Sequence, residues 1–369
     1  MAFLKFNKSE LVNLSYSLKR EIILANRSGS YCNTTIVDCN TRRYHGMLAV
    51  PLGGDLSRRV MLLSSLDESL VMQGHQFNLA IHRYGTVLEP RGHKYIVDFN
   101  ADGAPVITYK VGELVFTKTF LLAPDSDQVL IRYSLDEAPQ KVSLVLKPFL
   151  SFRDIHALTH KNDQADTRTV EIQGGVSFNL YKGYPDLNLQ ISAPSVFKSQ
   201  PIWYEGITYS DEYRRGFDCV EDLLVPGTFT VEMRPGDSIV VSASVVEEDP
   251  KQLKRKFNSY LKGIGNVESH HDILVRNAEI LKKIRGGREQ ILAGLSWLHA
   301  GLLRETLVSL PGLTLYADGD CGEFEKILDD LIEAEQERLF RRTTQVEAPL
   351  RLADVLQHYI RFVPSIEKR

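Results

Sequence analysis

"LVFTKTFLLA" (114–123), followed three residues later by "DQVLIRYSL" (127–135), decides how most of this chain folds. Both runs are rich in Val, Ile, Thr and aromatic residues, and their apolar positions recur with a period of two. That is the pattern of strands that bury one face and wet the other. The same character returns in "RRVMLLSSL" (58–66), "APVITYK" (104–110), "KVSLVLKPFL" (141–150), "LNLQISA" (187–193), "FTVEMRP" (229–235) and "SIVVSASVV" (238–246). Gly, Pro, Asn or Asp separates the runs, and Tyr109-Lys110-Val111-Gly112-Glu113 reads as a hairpin turn. Many strands at short spacing, with no helices between them, predict two stacked antiparallel sheets. The expectation is a large β-sandwich over residues 1–248.

After Asp249-Pro250 the period becomes helical. Asp249 is placed to cap "KQLKRKFNSYLKGI", in which Leu253, Phe257 and Leu261 share one face. "VESHHDILVRNAEILKKIRGG" is a second amphipathic stretch, ended by Gly286-Gly287. "REQILAGLSWLHAGLLRETLVSL" (288–310) is apolar on most faces and predicts a buried helix that Pro311-Gly312 breaks. "CGEFEKILDDLIEAEQERLF" and "VEAPLRLADVLQHYIRFV" add two more helices. The predicted fold class is therefore α+β and multidomain: the sandwich, linker helices over 249–286, and a short all-α region over 287–369.

The 369 residues suffice for two cores, since single cores stop growing at about 250–300 residues. A net charge of −3 and the lack of a dense Lys/Arg cluster exclude nucleic acid as an expected partner. No apolar run approaches the ~18 residues of a membrane span, and the charged N-terminus does not read as a signal peptide. The expected location is cytoplasmic, away from membranes. Four cysteines without CxxC spacing do not suggest zinc. No P-loop, nucleophile elbow or dinucleotide fingerprint is present, so no cofactor is expected.

Several polar clusters draw attention. Arg42, Arg43, Tyr44 and His45 precede Gly46, and planar groups with forked donors are what sugar binding needs. Their alternative role is an ion pair that holds a sheet together. Arg153, Asp154 and His156 read as a hydrogen-bonded loop or a sugar contact, and Trp203 and Tyr204 as stacking rings or core. His156 and His160 have a metal-like i, i+4 spacing only if helical, and no metal is expected there. Asp67 and Glu68, adjacent in a strand, point to opposite faces and make a poor catalytic pair. Glu221 and Asp222 are placed to support a loop.

Four stretches together resemble the bacterial and archaeal glycogen debranching enzymes: "NTRRYHGMLAV" (40–50), "SFRDIHALTHKND" (151–163), "WYEGITYSDEYRRGFDCVEDLLVPG" (203–227) and "SLPGLTL" (309–315). They lie in family order between residue 20 and about residue 320. The resemblance implies an α-glucan-binding β-sandwich followed by a glucoamylase-like (α/α)6 barrel, which would hydrolyse α-1,6 branch linkages of glycogen or amylopectin with two carboxylates. Leu303-Arg304-Glu305-Thr306 stands where the family has Gly-Arg-Asp-Thr, and Glu347 stands in place of an Asp. The resemblance implies that Arg304, Glu305 and Glu347 contact the terminal sugar.

A closed barrel of about a dozen helices needs on the order of 200 residues. The helical stretch from Gly287 onward is therefore expected to resemble an incomplete barrel, and no catalytic acid or base is assigned. Three readings compete: a branch-hydrolysing enzyme completed by a partner chain or a second copy, a non-catalytic α-glucan-binding or regulatory protein, and a structural interaction protein. An unsatisfied apolar flank would favour an oligomer.

Overall fold

The computed structural model describes residues 3–265, 267–285, 288–298, 302–317, 319–340 and 347–363. The chain divides into two compact units, Met1–Asn266 and Val267–Arg369.

The first unit consists mainly of two large antiparallel sheets. In the nine-stranded sheet the order is Lys5–Asn7, Ile96–Asn100, Val106–Val111, Leu114–Leu122, Gln128–Glu137, Ser238–Ser244, Leu187–Ile191, Gly175–Phe178 and Val170–Ile172. In the ten-stranded sheet the order is Glu21–Ala25, Tyr31–Thr35, Gly46–Leu52, Asp55–Met72, Val142–Asp154, Val220–Met233, Val196–Thr208, Ile81–Tyr84 and Val87–Arg91, with His75–Asn78 paired to Asp55–Met72. The decisive stretch forms two neighbouring strands in which Phe116 faces Leu135 and Phe120 faces Ile131. Gly112, at φ +61, turns the hairpin between Val106–Val111 and Leu114–Leu122, a conformation glycine reaches without steric cost.

Inward side chains of both sheets share one core. Phe99, Phe116, Phe120 and Ile131 from the first sheet meet Leu48, Leu62, Leu144 and Phe229 from the second. Lys118, on the same face as Phe116 and Phe120, is also sealed in this core. Its ammonium lies 2.5 Å from Asp38 and 2.5 Å from Glu68, and the Tyr133 hydroxyl donates to Glu68 at 2.5 Å. Burial pushes the Glu68 carboxyl up to about 7 despite Lys118, and the charge of Asp38 adds to the rise. Two carboxylates sharing one buried cation cannot both ionise cheaply.

Some strands had no periodic signal. Tyr31–Thr35 is buried at every position although it reads Tyr-Cys-Asn-Thr-Thr. Val196–Thr208 is mostly exposed and gains its order from pairing with Val220–Met233. The helix Leu253–Gly263 forms as expected, with Leu253 and Phe257 fully buried against Leu121, Leu130 and Val240 on the outer side of the nine-stranded sheet. Each contributes about 1.5–3 kcal/mol of apolar burial. The residue before this helix is Gln252 rather than Asp249, whose carboxylate instead accepts from the Lys251 amide in the preceding turn.

The second unit corrects three expectations. It is not all-α: Lys282–Arg285 and Arg288–Ile291 pair as a hairpin. The stretch 288–310 is accordingly no single helix, because its first residues pair as a strand and residues 292–298 carry no helix. Gly294 and Ser296 are weak helix formers there, and Leu292 N donates to the Leu281 carbonyl across the hairpin. Pro311 also does not end the next helix, which runs Leu303–Leu313. A proline two residues from the helix end costs one hydrogen bond, and the Thr314 hydroxyl takes the Leu310 carbonyl at 2.7 Å. Helices Cys321–Ala334, Gln336–Phe340 and Glu347–Phe362 complete the unit around Leu307, Leu310, Phe324, Ile327, Leu352 and Val355. Phe324 stacks on Tyr359 at 4.9 Å. The Gly286-Gly287 stop lies outside the described residues. No helix among the described residues is long and apolar enough to cross a membrane.

Candidate functional site

The outer side of the ten-stranded sheet carries the sequence-predicted residues of the first unit, apart from Trp203, which packs against the sandwich core. They arrive there through local backbone devices. In Asn40 to Gly46 the chain bends before a strand, and His45 staples the bend: its Nδ1 accepts from Thr41 N at 3.1 Å while its own amide donates to Arg42 O at 3.0 Å. His45 is fully buried, with Nε2 3.5 Å from Glu21. Arg42 pairs with Glu21 at 2.7 Å and Asp211 at 3.3 Å. Burial alone would raise the Glu21 carboxyl, but the hydrogen bonds and charges of His45 and Arg42 hold it down at about 2.

Strand Val142–Asp154 is irregular between Leu150 and Arg153, where Phe152 adopts φ +44. Bulges re-aim side chains, and here the bulge delivers Arg153 to Glu221. Arg153 Nε and Nη2 both meet the Glu221 carboxylate, which also accepts from Thr159 N at 2.9 Å and from the Tyr209 hydroxyl. Arg153 Nη2 further donates to Arg43 O at 2.7 Å. Both partners are buried, Arg153 at 4% exposure and Glu221 at 0%. Burial favours a neutral Arg153, yet Glu221 raises its pKa above the usual value. Arg153 thus acts on its surroundings by fixing the loop, and Asp154 does so by accepting from His156 N at 2.8 Å. Glu221 and Asp222 are loop supports as the sequence suggested; Asp222 accepts from Lys161 N and Gly206 N at 3.0 and 2.8 Å.

On this frame Arg43 spans three segments. It donates to His156 O at 2.8 Å and Asp218 O at 3.1 Å, and lies 3.6 Å from Glu212. Tyr44 OH meets His156 Nδ1 at 3.2 Å, with the rings edge to face. Phe217, 51% exposed, sits beneath the guanidinium groups of Arg43 and Arg215 at 5.6 and 4.9 Å. Glu212 is fully buried, with Arg43 and Arg215 each 3.6 Å away. The result is an exposed aromatic and imidazole surface over a braced arginine. It can stack on sugar C–H faces and exchange hydrogen bonds with hydroxyls. His156 and His160 fall in the segment after the strand end rather than on a helix, so their spacing places them on no common face.

Tyr204 packs elsewhere on this side, among Phe149, Ile207, Tyr209, Leu223 and Val225. It lines a cleft of about 210 Å³ with Asp67, His82, Tyr84, Lys147 and Phe149. Asp67 pairs with His82 at 2.8 Å, while the adjacent Glu68 reaches inward to Lys118, so the two carboxylates do face opposite ways. His82, Lys147 and Tyr84 were not singled out in the sequence. The available signal was the isolated charge of Lys147 within the apolar run "LVLKPFL".

In the second unit the structure brings together the three residues implied there. Arg304 Nε donates to Glu347 at 2.7 Å and Nη1 to Glu305 at 3.3 Å, with all three side chains partly exposed.

A family model described as glycogen debranching enzyme N terminal matches residues 20–240. Among solved structures, a bacterial glucoamylase complexed with acarbose is 10% identical at a TM-score of 0.45, over 86% of this chain and 50% of that one. The chain thus spans half the length of that glucoamylase. A putative aldose 1-epimerase from Escherichia coli K12 is 9% identical at a TM-score of 0.30, over 61% of this chain and 98% of that one. A heparan sulfate lyase from Pedobacter heparinus is 11% identical at a TM-score of 0.31, over 66% of this chain and 36% of that one. No curated protein matches by sequence.

Proposed function

We propose, from the premise that this chain belongs to the glycogen debranching enzyme N-terminal family, that its first unit binds α-glucan in the service of glycogen breakdown. The observation that carries this reading is the family match over residues 20–240, a span that contains the braced surface of Arg43, Tyr44, His156 and Phe217. A glucan ring laid on Phe217 and Tyr44 would find donors in Arg215 and an imidazole in His156. Arg153, Asp154 and His45 would contribute by holding that surface in place. Retardation of the purified chain in glycogen-containing native gels tests the reading, and failure to retard overturns it.

Removal of α-1,6 branches is the activity we assign to the protein that this unit serves. Arg304, already drawn to Glu305 and Glu347, is the group we propose for gripping a terminal glucose in the second unit. Binding without hydrolysis is the alternative. Glucose release from a branched limit dextrin separates the two: release establishes hydrolysis, and retention without release leaves a glucan-binding protein.

A further inference from the structure

Resting on the α-glucan reading above, we propose that the cleft bounded by Lys147, Tyr204 and the Asp67–His82 pair is a subsite for a single glucosyl ring, separate from the braced surface around Arg43. Lys147 faces Asp67 directly across the strand pair Asp55–Met72 and Val142–Asp154. Such a pair would ordinarily form a cross-strand ion pair. Here Asp67 instead turns both carboxylate oxygens to His82, at 2.9 and 2.8 Å. Among the described residues, none accepts a hydrogen bond or ion pair from the Lys147 ammonium, which lies over the Tyr204 ring, 6.0 Å from its centroid. The lysine is thus held at the cleft wall with donors to spare.

One side of the cleft is aromatic. His82, Phe149 and Tyr204 form a continuous run of tilted rings, with centroids 4.9 Å apart for the first pair and 4.8 Å for the second. Opposite charges balance. Asp67 faces His82, Glu89 and Lys147 both line the cleft, and the Glu68 carboxylate is turned away to Lys118. Burial opposes charge on His82, but Asp67 raises its pKa. A balanced site has no general attraction for an anion or a cation. Spaced donors and acceptors beside a flat ring fit a neutral polyol. The volume, about 210 Å³, lies below the ~300–1,000 Å³ of pockets for larger ligands. That size selects one ring and not a run of them.

The test uses the full chain with maltotriose in titration calorimetry and with glycogen in native gels. Lys147→Met keeps the aliphatic stem and removes the donors, and should weaken maltotriose binding about tenfold, the usual loss for one hydrogen bond to a charged group. Tyr204→Leu keeps an apolar body and removes the stacking face, with a similar expected loss. Lys198→Met, at an exposed lysine elsewhere on the same strand as Tyr204, should change nothing. If the unsubstituted protein is retarded by glycogen but either fails to bind maltotriose or binds it equally well after both cleft substitutions, the cleft assignment is overturned and the α-glucan reading stands. If the unsubstituted protein is not retarded at all, that reading itself is lost.

Discussion

Replacing Arg153 by Met should destabilise the strand-rich unit severely, because it strands a carboxylate and does not merely delete a charge. Glu221 is fully buried and has four donors: two from Arg153, one from Thr159 N and one from the Tyr209 hydroxyl. Methionine fills the arginine stem but leaves only the two neutral donors and no cation. Removing one partner of a buried ion pair costs about 3–5 kcal/mol. Two surviving hydrogen bonds place this case near the lower end, at about 3 kcal/mol. For a unit of this size each kcal/mol moves the melting midpoint by about 2–4 °C, so the expected drop is roughly 6–12 °C. The chain has two tryptophans, and Trp297 lies in the second unit. A Trp297→Phe background therefore leaves Trp203 as the sole emission reporter during urea unfolding of the first. Adding Glu221→Gln to the Arg153 variant should recover part of the loss, since the amide removes the uncompensated charge while still accepting from Thr159 N. A single variant within about 1 kcal/mol of the parent, with no gain from the second substitution, would refute the reasoning.

Three further outcomes follow from the same geometry. The Glu21 carboxyl is held at about 2 against an ordinary 4.5; its contribution is complete above pH 4.5 and is lost as pH falls towards 2, so Glu21→Gln should flatten that acid limb of the urea midpoint. Glu68 has the opposite sign: raised from 4.5 to about 7, it favours the fold below pH 4.5 and loses that contribution as pH rises through 7, so Glu68→Gln should remove that slope. Gly227 leaves no room for a side chain, since an added Cβ would lie 2.3 Å from the Lys198 carbonyl oxygen; Gly227→Ala should cost about 1–3 kcal/mol in equilibrium unfolding.

The polar residues that the motifs pointed to were legible because they cluster beside glycines and strand ends in the sequence, as Arg43, Tyr44 and His45 do before Gly46. Their partners were not legible. Arg43 reaches Asp218 across 175 positions and Arg153 reaches Glu221 across 68. Glu212 and Phe217, which complete the same surface, lie in a short helix and turn whose local pattern says nothing of an arginine so distant in sequence.

The sequence by itself determined the strand-rich first unit, the turn at Gly112 and the buried face of Leu253–Gly263, because periodicity reports how a local backbone divides its side chains between core and water. Only the tertiary structure decided that Lys118 belongs inside and that Tyr31–Thr35 is buried despite its polar residues. Those outcomes depend on which distant group satisfies a charge or an amide. Strand register supplies that information, and no local spacing encodes it.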